Sequence, residues 1–363
     1  MKHQKYIIII SILIIIFLAN CSPDKSQQPI DQEIMIKVPR GELFVRLKGD
    51  PAKPILVNLH GGPGGSSAFE VLLMDPYMGN YLVAYLDQRG CGKSTECRDP
   101  DLLTMNQYVK DLDIVIDTLL NKYNHEKVNL MGSSWGGLYG FLYLLENQEK
   151  VNAFASLDGK VNHPYQNQSL INHEIDLAVK LLEQEPPEKR KEELSNILVE
   201  LERIQKGDFA DFYEDVLKLK HTFPPKLGFN AYYADTSKII KPNEILSDST
   251  KMKKMNYTLE EFYEAMRKGG IVNKAFRNNR NYNTLNIENQ LSAINIPVLV
   301  VQGKEDYIVG KEQAQKIYSG LTSVNENDKE LHILPNVGHS PIIEAPEQLM
   351  TIVNGFLGKY EIE

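Results

Sequence analysis

Short, uniformly apolar runs alternate along this chain with longer stretches whose apolar residues recur at helical spacing. Residues 34–38 and 43–47 flank Pro39-Arg40-Gly41, which predicts a hairpin with a glycine turn. Residues 54–59 and 81–86 are apolar almost throughout, the pattern of strands buried on both faces. Residues 105–123 place Tyr108, Leu112, Ile114, Val115 and Leu119 at helical spacing. An apolar strand at 128–131, an apolar helix at 138–145 and a strand at 151–157 follow. Such alternation predicts an α/β fold with a mostly parallel, doubly wound sheet.

From residue 159 to 289 the pattern changes, and helices dominate: 170–185, a break at Pro186-Pro187, then 188–205, 209–219 and 259–268. Alternation resumes with a strand at 296–301, a helix at 311–321, a strand at 330–334 and a helix at 346–357. The expected organisation is one core, residues 34–158 and 290–363, with a helical cap of residues 159–289 inserted over it. In such sheets the loops at the carboxyl ends of the strands carry the chemistry.

The first twenty residues stand apart. Lys2 and Lys5 precede an apolar stretch, residues 6–18, broken only by Ser11, which reads as a signal peptide over residues 1–20. Leu18-Ala19-Asn20-Cys21 resembles the bacterial lipobox, in which the cysteine is lipidated and becomes the new N-terminus. The alternative is an uncleaved anchor, and both export the domain. Residues 21–33 form a polar tether. Export leaves Cys91 and Cys97 in one loop, as a disulfide or as two thiols. The formal charge of −8 gives no reason to expect nucleic-acid binding, and no metal-ligand spacing of Cys and His occurs.

The candidate chemistry centres on Gly132-Ser133-Ser134-Trp135-Gly136-Gly137, between the strand at 128–131 and the helix at 138–145. A strand, a sharp turn and a helix are the setting in which G-x-S-x-G presents a nucleophile. Ser134 has glycines two residues away on both sides, whereas Ser133 would have Met131 where a small residue is needed. Ser134 needs a base, and the base needs an orienting carboxylate. Asp306 follows the strand at 296–301, with neighbouring Glu305 as the other candidate, and His339 follows the last strand. An oxyanion requires two prepositioned N–H donors. Trp135, beside the nucleophile, and Gly62, in the loop His60-Gly61-Gly62-Pro63-Gly64-Gly65, are the candidates. His60 competes as a base, but its place in the glycine loop points to a structural hydrogen bond.

HGGPGG at 60–65, DQRGCGKS at 87–94 and GSSWGG at 132–137 together resemble the proline iminopeptidase family of α/β-hydrolases. GKEDYIV at 303–309 and VGHS at 337–340 sit where that family keeps its acid and base. The resemblance implies an α/β-hydrolase fold, no cofactor, and removal of an N-terminal residue, often proline, from small peptides. It also implies structural roles for Asp87 and Arg89 behind the turn. The family holds the substrate's amine on cap carboxylates, in a region that includes tryptophans. Here Trp135 is the only tryptophan, and Glu174, Asp176, Asp211, Glu214, Asp215 and Asp235 are undistinguished candidates. The expectation is a serine hydrolase acting on a short peptide or another small molecule, with ester hydrolysis as the alternative. A non-catalytic binding lipoprotein is the remaining class.

Overall fold

The computed structural model describes residues 28–361; the signal segment and Cys21 lie outside the described residues. Eight strands, β1 (Ile30–Val38), β2 (Gly41–Gly49), β3 (Ile55–Leu59), β4 (Leu82–Leu86), β5 (Val128–Ser133), β6 (Val151–Leu157), β7 (Val298–Gly303) and β8 (Lys329–Leu334), make one sheet. Their spatial order is β1-β2-β4-β3-β5-β6-β7-β8. The hairpin β1–β2 pairs antiparallel, as does β2 with β4, and the remaining pairs are parallel. The chain runs from β3 to β4 on one side and then crosses to β5 on the other. That reversal opens a crevice at the carboxyl ends of β3 and β5.

The continuous apolar runs are explained by burial on both faces. Val57 and Leu59 of β3 join one apolar cluster and Leu56 the opposite one. Helix Met105–Tyr123 lays Tyr108, Leu112, Val115 and Leu119 on the first face, and helix Pro346–Leu357 lays Leu349, Val353 and Phe356 on the second. The hairpin turn differs from expectation. Arg40 takes the left-handed conformation, with φ 58°, while Gly41 already pairs with Val38 in the ladder.

Between β6 and β7 the described residues form helices and turns, with one isolated bridge, Asn162 to Asn286. The first helix begins at His163, earlier than the apolar spacing suggests, because the Asn162 side chain accepts a hydrogen bond from the Tyr165 amide at 2.9 Å. The long helix Leu259–Arg277 runs straight through Gly269-Gly270, where its expected end lay. Packing supplies the reason: a Cβ on Gly269 would lie 2.0 Å from the carbonyl oxygen of Gly64, so only glycine lets this helix touch the glycine loop. Asn273 of the same helix donates to the Pro63 carbonyl at 2.9 Å. The helices Ala68–Met74, Phe223–Leu227, Pro242–Leu246, Ser249–Met255 and Arg280–Asn283 are too short for periodicity to reveal. Among the described residues no helix is long and apolar enough to cross a membrane.

Candidate active site

Ser134 sits between β5 and helix Trp135–Asn147 with φ 54° and ψ −110°, a strained turn that lifts its side chain off the sheet. Close packing makes the turn possible. A Cβ on Gly132 would lie 2.2 Å from the Gly136 oxygen, and one on Gly136 would lie 2.0 Å from the Leu59 oxygen. Ser133, in contrast, ends the strand.

The loops after β7 and β8 bring two partners to this serine. His339 Nε2 lies 2.9 Å from Ser134 Oγ, and His339 Nδ1 lies 2.8 Å from Asp306 Oδ2. The other oxygen of Asp306 accepts from the amides of Ile308 (2.8 Å) and Val309 (3.1 Å), which fixes the carboxylate in its fully buried place. Glu305, the other candidate, accepts from the Val337 amide at 3.2 Å and braces the histidine loop. Glu344 does likewise: it accepts from Gly338 at 2.8 Å and from Ala234 of the inserted segment at 2.8 Å.

A residue that the sequence did not single out adjoins this chain. Asp158, just past β6, accepts from the Gly303 amide at 2.9 Å, and its other oxygen is buried without a partner. One ligand-type atom each from Asp158, Asp306 and His339 lies within 4.8 Å of the others. Burial, and then the neighbouring Asp306 charge, hold the Asp158 carboxyl well above the carboxylate range, in its neutral form. The Asp-Gly pair ending a strand looks like ordinary turn chemistry, which hid it.

The glycine loop and the serine turn are tied together through Gln88, also missed from the sequence. Its amide N–H donates to His60 Nε2 at 3.2 Å, so the Nδ1–H of His60 is directed to the Gly61 carbonyl, 2.9 Å away. The Gln88 side chain donates to the His60 carbonyl (3.0 Å) and accepts from Trp135 Nε1 (2.7 Å). Burial lowers the pKa of His60, consistent with a neutral structural imidazole. Asp87 accepts from the Ser67 and Lys93 amides, at 2.7 and 2.8 Å, and from the Tyr257 hydroxyl at 3.0 Å. Arg89 does not pair with it. Its guanidinium instead grips Asp111 through two bonds of 2.6 and 2.7 Å. Cys91 and Cys97 are free buried thiols directed at different carbonyls, those of Arg89 and Asp99, so the disulfide alternative gives way to two thiols.

A cavity of about 300 Å³ opens over Ser134, lined among others by Gly62, Trp135 and His339. As the first residue of its helix, Trp135 has no intrahelical acceptor for its N–H. None of the six acidic residues considered for amine binding lines this cavity. Asp215 pairs with Arg203 and Lys218, Asp211 and Asp235 cap short helices, and Asp176 and Glu214 are exposed. Glu174 is buried with neither oxygen partnered. The cavity presents Lys160, Lys220 and Arg277 instead, with Glu70 as its one carboxyl group. Lys160 follows the carboxyl end of β6, a position that could have flagged it; Lys220 and Arg277 carry no such signal.

Residues 54–346 match the model of the alpha/beta hydrolase fold, and the chain belongs to that family. Among individual relatives, proline iminopeptidase of Lactobacillus helveticus is 38% identical over 109 residues, 29% of this chain and 35% of that protein. The chain thus spans about a third of that relative's length in the match. Proline iminopeptidase of Saccharolobus solfataricus is 24% identical over 86% of both chains. The proline iminopeptidase-related protein of Thermus thermophilus superposes with a TM-score of 0.62 at 21% identity, over 91% of this chain and 98% of that one, and shares the fold.

Proposed function

We propose that the protein is a serine hydrolase in which Ser134 is the nucleophile, His339 the general base and Asp306 the orienting acid. The observation that carries this reading is the hydrogen-bonded chain Ser134–His339–Asp306 at the wall of the cavity. With His339 Nδ1–H donated to Asp306, Nε2 is left to take the hydroxyl hydrogen as Ser134 Oγ bonds to a carbonyl carbon. The oxyanion is stabilised by the N–H groups of Trp135 and Gly62, the latter held by the His60–Gln88 link. Collapse of the tetrahedral intermediate expels an amine or alcohol, which takes its proton from His339, and leaves an acyl-enzyme. Water, deprotonated by the same imidazole, then releases the acid.

The proline iminopeptidase names of the relatives, two of them aligned over 86% and 84% of this chain, support cleavage of an N-terminal residue from a small peptide. A second reading, hydrolysis of small esters or amides with no free amine, is favoured by a specific observation. The charges facing the cavity are cationic, and none of the expected cap carboxylates reaches it. The discriminating experiment gives the full chain, solubilised in detergent, a proline anilide, its N-acetylated form and a short-chain ester, each beside Ser134→Ala. Loss of all turnover in Ser134→Ala is the expected result, and equal turnover by both proteins would sink the catalytic reading. A requirement for the free amine would establish the aminopeptidase; indifference to it would establish the second reading. Export and lipid attachment at Cys21 complete the proposal on the strength of the N-terminal sequence. Labelled palmitate should enter the wild type and not Cys21→Ala, and incorporation into both would refute the anchor.

A further inference from the structure

The lining of the cavity gathers three cationic side chains from separate parts of the chain. Lys160 comes from the loop after β6, Lys220 from the π-helical turn Lys218–Thr222, and Arg277 from the end of helix Leu259–Arg277. Lys160 Nζ lies 3.2 Å from the Tyr282 hydroxyl, and Arg277 Nε donates to Asn273 Oδ1 at 2.7 Å. Those partners are neutral. Among the described residues none of the three cations is ion-paired with a carboxylate. Lys160 and Lys220 are buried, at 7% and 9% exposure, where an unpaired ammonium is costly unless something neutralises it.

Nothing lining the cavity supplies that neutralisation. Glu70 is raised to about 8 by burial, so near neutral pH it is mostly protonated. The Asp306 carboxylate is already bonded to His339 and to two amides. We infer that Lys160, Lys220 and Arg277 form an anion subsite beside Ser134, and that the substrate carries an anionic oxygen group, a carboxylate or a phosphate, at this end. Burial, and then mutual repulsion, push Lys160 down to about 7 and Lys220 well below its ordinary range. An arriving anion restores both charges and gains their hydrogen bonds.

The inference deepens the hydrolase reading and shares its cavity, so the test is one in which the two fail separately. Ser134 of the full-length protein is labelled with a neutral fluorophosphonate in the presence of glutarate, propyl phosphate, pentanamide or 1,5-diaminopentane at fixed ionic strength. Glutarate or propyl phosphate should slow labelling, and whichever protects more strongly identifies the group; the amide and the diamine should not protect. Lys220→Met and Arg277→Gln should each raise the half-protecting concentration by about tenfold or more, the scale of one lost charge-assisted hydrogen bond. Protection by the diamine alone, or anion protection unchanged in both variants, would overturn the subsite. If Ser134 were not labelled at all, the nucleophile assignment would fall. Calorimetric titration of glutarate and propyl phosphate into the same protein would then decide the subsite alone, with binding supporting it and no heat of binding overturning it.

Discussion

Asp158 and Asp306 are two buried carboxyl groups in one site, with different hydrogen-bond partners. Asp306 receives two backbone amides as well as the imidazole, which fix its orientation. Asp158 receives one amide and faces the Asp306 charge, which keeps its own proton on. If Asp306 orients His339 as proposed, Asp306→Asn should reverse the imidazole's tautomer and lower kcat by about 10⁴-fold. Asp158→Asn replaces a neutral carboxyl by a neutral amide of the same shape and should lower kcat by less than about tenfold. Steady-state kinetics on one activated ester would settle it, and the reverse ranking would hand the orienting role to Asp158. Ser134 and Asp306 were legible because each follows a strand whose apolar run can be read directly, and His339 because it follows the last strand in the chain, although β8 is half polar. Asp158 was not, because its role comes from a neighbour 148 positions away that only the folded sheet brings close.

At the scale of elements, three loops at the carboxyl ends of β3, β4 and β5 are fastened to one another through one side chain, Gln88. It bridges the His60 carbonyl of the first loop and the Trp135 indole that opens the helix after the third. Gln88→Leu would leave both groups buried and unpartnered, at about 1–3 kcal/mol each. The expected outcome is a clear fall in melting temperature together with a kcat reduced about tenfold or more, since both proposed oxyanion donors flank that bridge. Unchanged kcat with lowered stability would confine Gln88 to the fold. The central strands were legible for a simple reason: burial on both faces makes them apolar almost throughout, with Asn58 of β3 and Asn129 of β5 as buried exceptions. The inserted helices were legible only where they are long. Where helix Leu259–Arg277 meets the glycine loop, Gly269 signalled an end from sequence and instead marks a close approach. Periodicity describes one segment at a time and does not report what packs against it.

Across the whole molecule, buried ionisable groups of opposite kinds set opposing pH dependences of stability. Glu174 shares the buried face of helix His163–Leu182 with Leu170, Ile171 and Ala178, and desolvation alone raises it to about 9. Unfolded, it ionises near 4.5. Between those values the native state binds the extra proton, so stability falls as pH rises. At pH 7 the cost is about 3 kcal/mol, from the 2.5 pH units separating pH 7 from the unfolded pKa. Lys160 behaves in the opposite sense. Burial lowers it from 10.5 to about 7, so over that range the unfolded chain binds the extra proton and stability rises with pH. Glu174→Gln should therefore match wild type near pH 4 and become progressively more stable than it up to about pH 9. Lys160→Met should match wild type above about pH 10.5 and gain most at pH 7 and below. Urea denaturation of the three proteins between pH 5 and 9 checks both slopes. A Glu174→Gln advantage that did not grow with pH would mean that this carboxyl finds a partner or water in solution. A flat Lys160→Met advantage would mean that its ammonium stays charged in the folded protein, with a counter-ion already beside it.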